Sequence, residues 1–333
     1  MTMMLVEQPG MLSTLQDTGR FGHQQYGVSV NGPMDEWSHR VANALVGNPE
    51  DAAVLECTLN GPRVSFSEDK LIALCGAVMR IVADGQPVPC GRAVLLRRGV
   101  VLEVGERING VRLYIAVRGG LAPEPVLGSR STNVRAGFGG FKGRALKKGD
   151  RVPLGPVPGD GAKLTIERRM IQSGLPLVWT LPVDVAPPSH PANALRFIPG
   201  PHWSAFTAQA RAGFESEPYK VTLQSDRMGT RLHGPSLKLT QPMEMVSEAT
   251  VFGTVQVPPD GQPIVLMADR QSAGGYPKLA YIASADLPVL AQAMPGDALR
   301  FTAVTQADAE NAWRDFEDRM QAVREAAVRT LQQ

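Results

Sequence analysis

The amino-acid sequence predicts a mainly β protein with few short helices, and three observations lead there. Short apolar runs recur between Leu71 and Val117, reading "LIALCGA", "AVLL", "VVLEV" and "VRLYIAV", and turn stretches such as "DGQP" and "GERING" separate them. That pattern is a β-meander or barrel signature. The 34 Gly and 27 Pro of the 333 residues are spread along the chain rather than gathered into repeats, as many short strands joined by turns require. No regular helical period intervenes between the strands, which disfavours a parallel α/β sheet.

Taken in order, the first 30 residues are polar and glycine-rich. A helix is expected from Asp35, which caps it, with Trp37, Val41, Ala44 and Leu45 on one face and Gly47 and Pro49 ending it. His39 and Asn43 lie four residues apart on another side, where a solvated face is the plainer expectation. The loop "LGSRSTNVRAGFGGFKGRALKKGDRVPL" carries six cationic side chains between Arg130 and Lys148, and its backbone amides suit an anion, although a solvated loop is the commoner outcome. Prolines crowd residues 153–201 and mark a domain boundary. The expected division is a barrel-like domain over 1–190, a second β-barrel domain over 191–305 and a helix over 306–333.

Beyond that boundary, "HWSAFTAQARAGF" and "DLPVLAQAMPGD" read as short helices, and "KVTLQS", "IVLM", "LAYIA" and "ALRFTAV" as strands. In the tail, Trp313, Phe316, Met320, Val323 and Ala327 recur at three and four residues, the period of an amphipathic helix.

Bulk properties exclude several classes. A net charge of +2 gives no electrostatic case for nucleic acid or a membrane surface. No apolar run nears the ~20 residues of a membrane span, and the start lacks the form of a signal peptide, so a cytoplasmic protein is expected. Cys57, Cys75 and Cys90 form no C-x-x-C pair and read as buried, inert thiols. His23, His39, His190, His202 and His233 show no zinc spacing, so no metal is expected. A nucleophile elbow and a G-x-x-x-x-G-K-[ST] phosphate loop are both missing. No lysine sits between methionines as in attached-biotin sites.

What remains is polar clusters at strand ends. The stretch "QVPPDGQPIVLMADRQSAGGYPKLAYI" runs from an apolar strand directly into Asp269, Arg270 and Gln271. Strand alternation places Val265, Met267, Asp269 and Gln271 on one face and Ile264, Leu266, Ala268 and Arg270 on the other. Asp269 would then serve as general base or orienting carboxylate, or simply pair with an arginine to close a turn. Gly274 and Gly275 permit close backbone approach, while Tyr276 and Lys278 add a hydroxyl and a cation. A second cluster holds Asp226, Arg227 and Arg231 in "SDRMGTRLHGP". A third holds Gln16, Asp17, Arg20 and Asp35. Three such clusters in a chain without metal or nucleophile motifs point to a loop-built site for a polar small molecule.

These stretches, "QDTGRFG...GVSVNGPMDEWSHRVANALVGNPEDAAVLE", "SDRMGTRLHGP" and "GTVQVPPDGQPIVLMADRQSAGGYP", resemble the allophanate hydrolase subunit 2 (KipA-like) family, which takes in the C component of 5-oxoprolinase and biotin-dependent carboxyltransferase proteins. The resemblance runs from about Leu12 to Val304. It implies two cyclophilin-like β-barrel units. It also implies work beside two partner chains of 5-oxoprolinase, a KipI-like B component and an A component, in an ATP-dependent opening of the lactam 5-oxoproline to glutamate. Carboxyl transfer from carboxybiotin on a separate carrier to urea or a related amide is the alternative it implies. A third is non-catalytic binding of a KipI-like kinase inhibitor.

Onto this sequence the resemblance carries Asp17, Arg20 and Asp35, then Asp226, Arg227 and Arg231, then Gln256, Asp269, Arg270, Gln271, Tyr276 and Lys278. Of these, Asp269, Arg270 and Gln271 are the expected catalytic groups, and the others, with Gly274 and Gly275, the expected substrate contacts. Departures are few. Thr230 stands where tyrosine is usual, His233 where glutamate is common, and Ser272-Ala273 where the family has two threonines.

Overall fold

A computed structural model describes residues 2–157, 164–188 and 194–332. The chain packs into two compact units. The first gathers Met1–Arg20, Asn31–Pro187 and Arg319–Gln333; the second gathers Phe21–Val30 and Pro188–Asp318. The expected boundary at residue 190 falls outside the described residues.

The first unit is a ten-stranded sheet centred on two long antiparallel strands, Lys70–Ala83 and Leu102–Val117. Ladder partners such as Ile72 with Val117 and Leu74 with Ile115 fill its core. Lys70–Cys75 and Val111–Val117 are buried on both faces, because helix α1 (Glu36–Leu45) packs against both strands and covers the second face. Where that cover stops, burial alternates: Gly76, Val78 and Arg80 are exposed between buried Ala77, Met79 and Ile81. This is the ordinary behaviour of a sheet with one wet face.

Two sequence expectations change here. "VVLEV", "GERING" and "VRLYIAV" are one strand and not two joined by a turn. The ladder absorbs Glu106–Gly110 through register shifts at Gly76/Val78, Val78/Met79 and Met79/Ile81, which bend the pair without breaking it. The polar side of α1 is not solvated either: His39 and Asn43 are fully buried. Cys90 is exposed, while Cys57 and Cys75 are buried as expected. A second helix of this unit, α2, spans Thr165–Ser173.

The second unit is a closed seven-stranded barrel. Its strands run, around the wall, Ala194–Pro199, Lys278–Ile282, Thr254–Gln256, Ile264–Leu266, Gly229–His233, Tyr219–Val221 and Ala298–Ala303. Closure comes from the parallel pairing of Ala194–Phe197 with Arg300–Ala303, which removes the free sheet edge. An aromatic cluster fills one end: Phe214 of helix α3 (Ala208–Ser216) stacks on Phe301 with centroids 4.4 Å apart and meets Phe197 edge-on at 5.1 Å. The short helix α4 spans Leu287–Gln292.

The tail forms helix α5, Gln306–Gln332. Phe316, Met320, Val323, Ala327 and Leu331 are buried along one stripe, each large side chain worth about 1.5–3 kcal/mol. Within the first unit, Arg319 bonds the Asp184 and Ala186 carbonyls. No described helix is long and apolar enough to cross a membrane.

Candidate functional site

The cluster around Asp269 lies in the second unit. The strand ends at Leu266, three residues before Asp269, so the expected face alternation stops short of it. A turn follows, closed by the Arg270 amide donating to the Met267 carbonyl. Asp269 is therefore aimed by a turn and not by strand pleating. Its carboxylate accepts from Arg227 Nε at 2.9 Å and from Nη2 of the same guanidinium at 3.0 Å, a bidentate geometry. Its amide donates to the Arg227 carbonyl at 2.8 Å, so side chain and backbone lock the two segments together. Both groups are nearly buried.

Arg270 is half-buried with its guanidinium 5.6 Å from the Phe252 ring centroid. Burial pushes its pKa down to about 10, and the neighbouring Asp269 carboxylate opposes the fall. It remains a cation at neutral pH. Asp226 is exposed and accepts from the amides of Met228 and Gly229, which shapes the turn leading to Arg227. Arg231 points outward on the next strand. It lines a separate 220 Å³ hollow with His233, Gln224 and Asp260.

A few residues further along, Gln256, Gln271, Gly274 and Lys278 come together. A two-stranded ribbon pairs Glu248–Ala249 with Ala273–Gly274, and Thr250 Oγ1 donates to the Gln271 carbonyl. Lys278 is buried, with Nζ 2.7 Å from Glu248 Oε2, and this contact holds the Glu248 carboxyl below its usual range. The Lys278 amide donates to His202 Nδ1 at 3.0 Å. Gln256 is 1% exposed, and its Nε2 has no partner among the described residues. Gly275 and Tyr276 instead line a hollow of about 670 Å³ with Lys238, Thr240, Met243 and Pro258.

Asp17, Arg20 and Asp35 are buried in the first unit. Asp17 accepts from the hydroxyls of Ser129 and Ser131, both at 2.6 Å, and from the amides of Gly19 and Arg130. Arg20 donates to the Val126 and Ser131 carbonyls and to Asn31 Oδ1 at 2.9 Å, with Phe138 below it. Asp35 caps α1, accepting from the Ser38 amide and hydroxyl.

Sequence reasoning missed the groups around them. Glu56 accepts from the Met34 amide at 2.9 Å and the Tyr114 hydroxyl at 2.7 Å, and that hydroxyl accepts from the Asp35 amide. Burial pushes the Tyr114 hydroxyl well above its ordinary pKa. His39 is fully buried beside the Gln16 backbone, and burial drops its pKa to about 4. The one signal available was an acid inside the apolar run "AAVLECTL". Among the described residues no group of acids, histidines and cysteines could hold a metal ion.

The comparisons with known proteins bear on this arrangement. Residues 26–303 match the family described as carboxyltransferase domain, subdomain A and B. The chain belongs to that family.

Among individual relatives, the chain is 38% identical over 313 residues to the C component of 5-oxoprolinase from Escherichia coli strain K12, covering 94% of this chain and 95% of the relative. Its Haemophilus influenzae counterpart of the same name is 34% identical, with 94% of each covered. Urea amidolyase of Lachancea kluyveri is 30% identical across 98% of this chain, which spans only 18% of that protein. Among solved structures, the Kluyveromyces lactis urea amidolyase superposes with a TM-score of 0.84 at 29% identity. That match covers 96% of this chain and about a fifth of the amidolyase. The structure of TTHA0988 matches with a TM-score of 0.75 at 36% identity, covering 91% of this chain and 55% of that one.

Proposed function

We propose that the chain works as the C component of an ATP-dependent 5-oxoprolinase, opening 5-oxo-L-proline to L-glutamate together with the A component and the KipI-like B component. What carries this reading is the reciprocal, nearly end-to-end match to two proteins named as that component. The urea amidolyases match one segment of a much longer chain. The second reading, a carboxyltransferase component that moves a carboxyl group to urea or a related amide from biotin on another polypeptide, draws on that segment match and the family assignment.

A lactam is resonance-stabilised, so water opens it slowly without activation. ATP, handled within the complex, would supply the driving force by making the carbonyl a better electrophile. In this chain's glycine-rich loop two of the six cations are engaged internally: Arg144 pairs with Asp150, and Arg130 Nε donates to the Pro123 carbonyl. The substrate's charge and shape are the task of this chain's residues. Arg270, a cation beside Phe252, offsets the carboxylate of 5-oxoproline or charge developing on its carbonyl oxygen. Asp269 holds Arg227 and fixes the turn that presents Arg270 and Gln271. Tyr276 and Gly275 give the ring an open wall, and Lys278 anchors the Glu248 ribbon over Gly274. Asp17, Arg20 and Asp35 set the backbone at both ends of the Phe21–Val30 loop.

Reconstitution with the A and B components tests the reading: ATP-dependent glutamate formation from 5-oxoproline is expected only with this chain present. Glutamate formed equally well without it would end the proposal. Turnover that requires a biotinylated protein and stops with avidin would favour carboxyl transfer.

A further inference from the structure

We infer that the carboxamides of Gln256 and Gln271 form a paired donor site beside the α-carbon of Gly274 for the carbonyl oxygen of a planar amide or lactam. The inference rests on the function proposed above and names the atoms that would read its substrate.

Gln256 is 1% exposed, and among the described residues its Nε2 has no hydrogen-bond partner. A buried amide without a partner costs about 1–3 kcal/mol, so an apolar side chain of the same length would suit a purely structural position better. The neighbouring geometry shows what the amide faces. A Cβ built on Gly274 would lie 2.5 Å from Gln256 Nε2 and 3.2 Å from Gln271 Nε2, so the two amide nitrogens converge on the bare face of that glycine. Gly274 needs no left-handed backbone here; its φ is not positive. Its smallness serves the amide and not the turn.

Rigid supports surround the pair. The Glu248–Ala249 ribbon pairs across Gly274, Thr250 Oγ1 grips the Gln271 carbonyl, and Lys278 ties Glu248 down. Gln271 itself is exposed, so a ligand would approach the pair from the Gln271 side, and Gln256 would receive it from within. Two N–H donors on rigid backbone suit a carbonyl oxygen, and a site built to bond a polar group discriminates strongly against ligands without it. Ligands lacking a carbonyl should therefore be rejected.

The experiment uses the full chain, alone and reconstituted with the A and B components, in four forms: wild type, Gln256→Met, Gln256→Glu and Gly274→Ala. Saturation-transfer NMR with 5-oxoproline, and separately with urea, reads binding. Thermal unfolding reads stability. Expected for Gln256→Met is an unchanged or raised Tm with at least tenfold weaker binding. Gln256→Glu, which places an acceptor where a donor is needed, should also lose binding, as should Gly274→Ala, whose methyl pushes the amide aside. In the complex, KM for 5-oxoproline should rise more than kcat falls.

A lowered Tm for Gln256→Met with binding unchanged would overturn the inference, because the amide would then be structural. Wild-type binding of neither probe would overturn it as well. Failure of the complex to hydrolyse 5-oxoproline while the chain binds urea through Gln256 would overturn the proposed function alone.

Discussion

In the first unit Asp17 receives hydrogen bonds from two serine hydroxyls and two backbone amides, whereas in the second unit Gln256 buries an amide nitrogen with no partner. Both side chains are almost inaccessible. The first arrangement is a closed set of donors and acceptors around Asp17, Arg20, Glu56 and Tyr114, and closed polar networks rigidify a fold. The second is closed at Arg227–Asp269 and Lys278–Glu248 but open at the two glutamines. Polar groups that are satisfied internally set the frame, and the buried amide of Gln256 is where a ligand would complete the second unit. Gln16 Oε1 qualifies the contrast, being buried beside Asp17 with no partner among the described residues, and so does His39, a neutral ring sealed from solvent.

The contrast can be broken by mutation, and the largest effect belongs to the closed pair of the second unit. Asp269→Ala removes the bidentate carboxylate from the buried Arg227 cation and should cost about 3–5 kcal/mol in urea unfolding. The double change Arg227→Met with Asp269→Leu should recover most of it. If the single change were silent, the pair would not be part of the frame. Arg20→Ala removes a cation that bonds two backbone carbonyls and Asn31, with an expected loss of about 3 kcal/mol or more.

His39 sharpens the same contrast through pH. Its folded pKa is about 4 against an ordinary 6.5, so the unfolded chain binds the proton more readily. Stability from this group is complete above pH 6.5 and is lost as pH falls toward 4, a change of roughly 3 kcal/mol. His39→Leu should flatten that part of the pH–stability curve, and an unaltered slope would show that other groups produce it. Asp226→Ala removes the acceptor for two turn amides and should cost about 1 kcal/mol. Arg231→Gln, on an exposed outward face, should change stability by less than about 0.5 kcal/mol.

Much of the fold was legible from local pattern. The helix capped by Asp35, the amphipathic tail and most second-unit strands follow from periodicity and caps, which act over a few residues. The misreadings share a cause in tertiary context. "GERING" has turn composition, yet its partner strand bends with it through register shifts. His39 and Asn43 are polar and so read as solvated, but α1 is enclosed on nearly every side. The expectation that Asp269 follows strand alternation failed because the chain turns at Met267 to meet Arg227, forty-two residues away in sequence. For the candidate site, residue types at strand ends singled out Arg227 and Asp269, which the fold pairs, and Gln256, Gln271 and Gly274, which it brings together. Which groups pair internally and which stay open depends on long-range contacts that no short window contains.

The chain's division into units has a practical corollary for anyone dissecting the molecule. Ten residues near the amino terminus, Phe21–Val30, belong to the carboxyl-terminal barrel unit, and the last fifteen, from Arg319, belong to the amino-terminal sheet unit. A single cut between the units therefore gives two incomplete fragments, each missing a piece stranded on the other. Separate expression should yield aggregation-prone halves, and recovery of soluble protein should demand that both be produced in the same cell.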